Sequence, residues 1–276
     1  MSKFDAPQYK KVFSCLVGSG FDLTTKSIKV IKVLCLCIGE LEVDEDGGIN
    51  LDNCNNCAEV YDLGSGSWRV IHLDATLQNV LVFYDPTHGM YNNNDGVFHW
   101  HSVRVFHGII DHWTGLVLSF DMSRELFHMT LMPERYNFET SPFLPFKFCR
   151  FSLLRDSLAV NFTFFENCHE RRCSTVELWV MKKDFYRVVE AGESFSSYSW
   201  SRELTVELPN NTFYASMGFW NENELLLWEL SPKRGGESPF LYDIVTKQAR
   251  GLQELNFLYK ESLVSVKGGR GNDSIP

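Results

Sequence analysis

Short runs of alternating apolar and polar residues, separated by polar turns, occupy most of the chain. Residues 27–33 alternate for seven positions, which is the period of a strand with one buried face. Residues 153–160 and 219–228 predict hairpins that turn at Arg155-Asp156 and at residues 221–223. No segment of the sequence combines a helical period with capping residues. The pattern therefore predicts an all-β protein with little helix.

One short motif returns four times along these strands. In its clearest copy, residues 119–123, an aromatic ends a strand, an aspartate begins a turn, and a second aromatic follows seven positions after the first. An aspartate in such a turn bonds to backbone amides two residues further on. The spacings of 59, 59 and 63 residues indicate a repeated supersecondary unit, although four unrelated hairpins would give a similar pattern. The four aromatics are Tyr61, Phe120, Trp179 and Tyr242.

Each repeat of about 60 residues contains a hairpin, a loop and a strand-turn-strand unit, which together amount to about four strands. Such a sheet cannot bury its faces alone and must stack on its neighbours, as propeller blades do. We expect a propeller-like array of antiparallel sheets over residues 18–266, after a lead-in of residues 1–17 and before a disordered tail of residues 267–276. Residues 18–22 are expected to form a turn, and residues 39–57 and 84–94 exposed loops.

The composition limits where such a protein can act. With 276 residues, 44% of them apolar, the chain can bury a large core. No apolar run approaches the roughly 20 residues that span a bilayer, and residues 1–5 lack the apolar core of a signal peptide, so a cytoplasmic protein with no membrane partner is expected. The eight cysteines are scattered, and reduced buried thiols are expected at Cys15, Cys35, Cys37 and Cys149.

The net charge of −9 is concentrated in one sector of the sequence. Between Val33 and Val103 there are eleven acidic residues and a single basic residue, Arg69. An acidic sector argues against nucleic-acid binding and suits a basic protein partner, although a loop charged only for solubility would look the same. The acidic residues predicted to contact a partner are Glu40, Glu42, Asp44, Glu45, Asp46 and Asp52.

The sequence offers little catalytic or metal-binding chemistry. It contains no phosphate-binding Gly-rich loop, no Gly-x-Ser-x-Gly elbow and no His-Glu-x-x-His motif. Two cysteine pairs, at residues 54 and 57 and at residues 168 and 173, lie too far apart in sequence to favour a zinc ribbon. The histidines between His99 and His112 are expected to be structural. We therefore expect no enzymatic activity, no cofactor and no metal.

Six of the seven tryptophans fall into two groups. Trp113 and Trp220 lie near predicted turns and are candidate anchors for a partner, because aromatics dominate interface energetics; burial in the core is the alternative for both. The remaining strand tryptophans are expected in the core: Trp68, Trp100, Trp179 and Trp228.

Several motifs occur in an order that is more specific than any one of them. They are Gly20-Phe21-Asp22, residues 60–63 with residues 67–69, residues 96–100, residues 110–134, residues 177–182, and residues 241–243 with residues 259–265. In this order they resemble the F-box-associated domain of plant F-box proteins over roughly residues 18–266. The S-locus F-box subgroup is the one most similar to residues 120–132 and to the C-terminal motif Tyr259-Lys260-Glu261-Ser262-Leu263.

The resemblance implies a substrate receptor of an SCF-type ubiquitin ligase, whose target in the S-locus subgroup is a basic secreted ribonuclease in self-incompatibility. The family carries an N-terminal F-box that binds a Skp-type adaptor and, through it, a cullin. Because only 17 residues precede the predicted domain, target recognition carries over from the resemblance but adaptor and cullin binding do not, and a decoy receptor is one alternative. A carbohydrate-binding or glycosidase-like propeller, with Trp113 and Trp220 at a sugar site, is another.

Overall fold

The computed structural model describes residues 11–37, 54–73, 77, 80–81, 89–106, 109–133, 147–168, 171–183, 198–208, 213–221, 223–230 and 239–251. Seventeen strands in these ranges form four antiparallel sheets, and the strands of each sheet follow one another in chain order. The described part of the chain has no helix with the length and apolarity needed to cross a membrane. The expected all-β, propeller-like architecture is confirmed.

The strand bounds define the four sheets. Sheet 1 contains β1 (Lys11–Asp22), β2 (Ser27–Cys37), β3 (Cys54–Asp62) and β4 (Ser67–Ile71). Sheet 2 contains β5 (Val80–Leu81), β6 (Gly89–Asn92), β7 (Val97–Phe106), β8 (Ile109–Asp121) and β9 (Leu126–Leu131). Sheet 3 contains β10 (Lys147–Leu154), β11 (Ser157–Cys168), β12 (Arg171–Lys183) and β13 (Tyr198–Leu208). Sheet 4 contains β14 (Phe213–Phe219), β15 (Glu224–Leu230), β16 (Pro239–Asp243) and β17 (Gln248–Gly251).

The predicted repeat corresponds to the sheets. All four repeat aromatics lie on the third strand of their sheet: Tyr61 on β3, Phe120 on β8, Trp179 on β12 and Tyr242 on β16. In sheet 2 the first strand is interrupted, because β5 and β6 pair with different parts of β7. The motif was therefore a sound marker of the repeating unit.

A six-residue turn recurs at five hairpins. In each, the side chain of the first residue accepts a hydrogen bond of 2.8–3.1 Å from the amide two positions later. The amide of the fifth residue bonds to the first carbonyl at 2.8–3.0 Å, and this fifth residue has a φ of 57–72°. The first residues are Asp22, Asp62, Asn92, Asp121 and Asp243. The aspartate-amide bond predicted for the motif is thus present at three motif copies and at the Asp22 turn, and Asn92 makes the equivalent bond. At the third copy β12 continues as a strand.

Three segments expected to be turns or loops are partly strand. Residues 18–22 belong to β1, which begins before the expected domain boundary at residue 18. Its glycines serve close packing: a Cβ on Gly18 would lie 2.6 Å from the Trp100 ring, and one on Gly20 would lie 2.4 Å from the Tyr91 ring. β3 includes residues 54–57, and β6 includes residues 89–92. Glycine and asparagine, which usually indicate turns, here lie in strands that pack against a neighbouring sheet.

The sheets stack in chain order. β1 contacts β6 and β7, β6 contacts β10, and β14 contacts β10, β11 and β12. Apolar clusters fill the three spaces between successive sheets. They contain Ile31, Val60, Trp100 and Phe120 between sheets 1 and 2, Val117, Val160 and Phe162 between sheets 2 and 3, and Val176, Leu225 and Leu227 between sheets 3 and 4.

A buried ion cluster joins sheets 1 and 2. The Lys29 Nζ atom lies 2.6 Å from Asp22 Oδ2, 2.7 Å from Glu125 Oε1 and 2.8 Å from the Met122 carbonyl. Burial alone would raise the pKa of Asp22, but hydrogen bonds from Lys29 and from the Thr25 and Thr24 amides hold it well below its usual range. The cluster therefore satisfies, within the stack, an ammonium group that is almost fully buried.

Candidate functional site

Sheet 1 has two faces of different character. Residues such as Leu16, Ile31, Val60 and Ile71 pack against sheet 2. Because side chains alternate along a strand, their sequence neighbours point to the opposite side, which we call the outer face of sheet 1. This outer face carries three of the large apolar residues that remain exposed in the described part of the chain: Val17, Trp68 and Val70.

The exposed part of the outer face consists of two cross-strand rows. Ser19, Val30, Tyr61 and Trp68 are register partners across β1, β2, β3 and β4. The Tyr61 and Trp68 rings lie 5.3 Å apart between centroids, with an interplanar angle of 46°. Trp68 is nevertheless 46% exposed, because β4 is the outermost strand of the sheet. The row thus presents a large aromatic, supported from one side by a tyrosine.

The second row is Val17, Lys32, Glu59 and Val70. Its two valines are 49% and 45% exposed, respectively. The Lys32 Nζ atom lies 3.7 Å from Glu59 Oε2, and Glu59 is buried. Beyond this row the outer face is covered, since Leu34, Leu36 and Cys57 form a buried cluster. The exposed patch is therefore confined to the half of the face near the β1–β2 and β3–β4 turns.

The acidic residues predicted to bind a partner belong to a segment anchored in the same sheet. Glu40, Glu42, Asp44, Glu45, Asp46 and Asp52 lie outside the described residues. Their segment, residues 38–53, joins Cys37 and Cys54, which are register partners at one end of the β2–β3 pair. Other acids of the sector are engaged within the fold: Glu59 pairs with Lys32, and Asp62 and Asp95 accept turn hydrogen bonds. Asp74 and Asp85 of the sector also lie outside the described residues, so the assignment of long-range attraction to residues 40–52 stays a prediction from the sequence.

The two tryptophans predicted as anchors are not brought to this sheet. Trp113 lies on β8 of sheet 2, where its side chain is outside the described residues, and Trp220 is half-buried at the β14–β15 turn of sheet 4. The Trp220 amide donates to the Glu224 carbonyl at 2.8 Å. Trp68, in contrast, was expected in the core, and this prediction is wrong. A strand pattern shows that a residue alternates, but it does not show that the strand is the outermost of its sheet.

The histidines and cysteines have structural surroundings. His99 is buried, with its Nδ1 atom 2.8 Å from Ser119 Oγ within sheet 2. Cys15, Cys35, Cys57 and Cys149 are free thiols. Burial, with a smaller effect of a nearby thiol or carboxylate, raises the pKa of Cys35 and of Cys57 to about 11. In the described ranges, no three histidine, cysteine or acidic side chains converge as metal ligands would.

A groove of about 430 Å³ lies between the outer parts of sheets 3 and 4. Leu208 forms one side, and Phe240, Tyr242 and Ala249 belong to the strands on the other side. Polar side chains also line the groove, among them Tyr214, Glu229 and Lys247. The groove is therefore a surface distinct from the outer face of sheet 1.

Comparison with known proteins identifies the family. The family model of the F-box associated beta propeller domain matches residues 3–265. The chain belongs to this family. Among solved structures, the chain is similar to the beta-propeller domain of the Trilobed protease from Pyrococcus furiosus, at 8% identity and a TM-score of 0.35, over 88% of this chain and 72% of that chain. No curated protein matches the chain. The F-box-associated propeller begins at residue 3 in the family match, so β1 belongs to it throughout.

Proposed function

We propose that this F-box-associated propeller is the target-binding module of a substrate receptor of an SCF-type ubiquitin ligase. It acts in the cytoplasm by binding a protein and catalyses no reaction. Its target is a basic protein, and a basic secreted ribonuclease of the pistil, recognised in self-incompatibility, is the target that the S-locus resemblance favours. The family match over residues 3–265 is the observation on which the proposal rests.

The charge distribution supports a basic target. Sheet 1 carries the acidic segment, residues 38–53, at one end, and no lysine or arginine occurs in that segment. A concentration of like charge on one part of a surface raises the encounter rate with a protein of opposite charge. Such an effect weakens with salt, because the screening length is only about 8 Å at physiological ionic strength.

Binding kinetics with a purified basic pistil ribonuclease test the proposal. We expect the association rate constant to fall at least about 10-fold between low and high salt. The variant Glu42→Gln, Asp44→Asn, Glu45→Gln, Asp46→Asn should associate more slowly at low salt and show a weaker salt dependence. Its dissociation rate constant should change little, since steering acts on the encounter.

The matched control removes acids elsewhere on the surface. Asp156→Asn with Glu207→Gln neutralises two exposed carboxylates of sheet 3, and this variant should associate within about 2-fold of the wild type. Association that is indifferent to salt and to the sheet 1 substitutions would reject steering by the acidic segment. A wild-type chain that binds no basic ribonuclease would reject the proposed target class.

Recruitment of the ligase is a separate question from target binding. In the F-box proteins that the chain resembles, a Skp-type adaptor and cullin bind through the F-box and not through the propeller. For this chain the proposed function is therefore recognition of the target alone. A chain that binds the ribonuclease but retains no adaptor in a pull-down with both purified proteins would act as a decoy receptor.

A further inference from the structure

We propose that Cys37 and Cys54 are a site of reversible oxidation, at which oxidised glutathione joins the two residues by a disulfide. The bond would lie at the end of the β2–β3 ladder and would link the two strands there. This inference goes beyond the proposed function, because it requires no target and concerns a covalent change in the chain itself.

The backbone register places the two cysteines opposite each other. Cys37, the last residue of β2, is the register partner of Cys54, the first residue of β3. Direct partners in an antiparallel pair have Cα atoms about 4.5 or 5.5 Å apart, according to their place in the ladder. Both separations lie within the roughly 4.4–6.8 Å that a disulfide spans between two Cα atoms. A bond between these residues therefore needs no rearrangement of the strands.

The same register disfavours the other cysteines of these two strands. Cys35 is the partner of Asn56, and Cys57 is the partner of Leu34. Because side chains alternate along a strand, Cys35 and Cys57 belong to opposite faces of sheet 1. Cys35 shares a face with Cys54 but is displaced by two residues, and such diagonal neighbours are about 7–8 Å apart, which is beyond the span of a disulfide.

The two neighbouring thiols are also poorly reactive. Burial raises the pKa of Cys35 and of Cys57 to about 11, whereas the thiolate is the form that attacks a disulfide. Near neutral pH these two thiols are therefore almost entirely protonated. Both the register and the low reactivity of the neighbours direct oxidation toward Cys37 and Cys54.

Oxidised glutathione supplies the electron acceptor for this reaction. The thiolate of one cysteine attacks a sulfur of oxidised glutathione, which forms a mixed disulfide and releases one glutathione thiolate. The thiolate of the second cysteine attacks the protein sulfur of the mixed disulfide, which forms the Cys37–Cys54 bond and releases the second glutathione. The two cysteines lose two electrons, and their two thiol protons end on the two glutathione molecules. In a reducing compartment such bonds are transient and redox-sensing, so this bond forms when the glutathione pool becomes oxidised.

The test maps the disulfide in the folded full chain. The chain is incubated with oxidised glutathione at neutral pH, its remaining thiols are alkylated, and it is digested with trypsin and a Glu-specific protease. Glutamates at residues 40, 42 and 45 lie between the two cysteines, so cleavage there separates Cys37 from Cys54 unless a disulfide joins the fragments. Mass spectrometry should find the two fragments linked in the major fraction of chains, and dithiothreitol should release them.

Two variants assign the bonded sulfurs. Cys54→Ser should abolish the link between the fragments, because Cys37 then lacks its register partner. Cys57→Ala, the matched control in the same strand, should keep the link. If Cys54→Ser folds poorly, tandem mass spectrometry of the linked wild-type fragments identifies the two sulfurs directly.

A second cysteine pair tests whether register decides which residues are joined. Cys173 is the partner of Glu166 in the β11–β12 ladder, and Cys168 lies two residues from Glu166. These two cysteines are diagonal neighbours, so they should not be joined.

The possible outcomes separate clearly. A link that joins Cys37 to Cys54, survives in Cys57→Ala and is lost in Cys54→Ser supports the proposal. Cys37 and Cys54 that remain thiols or carry only glutathione would overturn it, as would a link through Cys35 or Cys57. A link at β11–β12 as abundant as the one at β2–β3 would overturn the role of register. None of these outcomes decides whether the chain binds a target, so the proposed function is tested separately.

Discussion

The inner face of sheet 1 is buried, whereas the half of its outer face near the β1–β2 and β3–β4 turns is exposed. On the inner face, Gly18 and Gly20 let the rings of Trp100 and Tyr91 approach the backbone, and Lys29 is buried among carboxylates. On the outer face, Trp68 and Val70 are exposed by nearly half. Both faces are rich in apolar residues, so hydrophobic content alone does not decide burial. On the inner face, small residues and paired charges accompany the close approach of sheet 2.

The largest expected effect on stability comes from removing the buried ammonium group of Lys29. Lys29→Met leaves Asp22 and Glu125 without their shared cation, and we expect the free energy of unfolding to fall by about 3–5 kcal/mol. Lys182→Met is the control, since Lys182 and Glu203 form an exposed pair, and it should cost less than about 1 kcal/mol. Urea denaturation of both variants measures the difference. Equal, small losses would show that the Lys29 cluster does not hold sheets 1 and 2 together.

A smaller effect comes from two adjacent residues on opposite faces. A methyl group on Gly18 would lie within 3 Å of the Trp100 and Phe98 rings, so we expect Gly18→Ala to cost about 1–3 kcal/mol by overpacking. Ser19→Ala changes the exposed outer face and should stay within about 0.5 kcal/mol. Thermal or urea unfolding of the pair provides the measurement. A cost at residue 19 that matched the cost at residue 18 would contradict the difference between the faces.

The smallest effect is on the pH dependence of stability. Because the pKa of Asp22 is lowered in the folded chain, its ionised form contributes stability above the unfolded value of about 4, and this contribution is lost as pH falls below it. We expect Asp22→Asn to lose less stability than the wild type between pH 7 and pH 3. Urea midpoints across that range test this. Parallel curves for the two proteins would mean that Asp22 titrates alike in the folded and unfolded chain.

The sequence predicts the repeat better than it predicts exposure. In sheets 1, 2 and 4 the aromatic-aspartate motif marks the third strand because the turn after that strand needs a side-chain acceptor for its free amides. In contrast, residues 18–22 look like a turn because glycine permits one, while in the fold glycine permits the close approach of Trp100. The exposed position of Trp68 depends on β4 being an outermost strand. That is a property of the assembled sheets, and no local pattern encodes it.

Hydrogen exchange of the chain, alone and in complex with a protein that it binds, tests target binding at the exposed outer face of sheet 1 most directly. β4, residues 67–71, and β9, residues 126–131, are comparable outer strands, and each carries exposed apolar side chains. If the outer face of sheet 1 binds the target, exchange in residues 67–71 slows in the complex while exchange in residues 126–131 is unchanged. Unchanged exchange in residues 67–71 in a formed complex, or equal slowing of both strands, would contradict it.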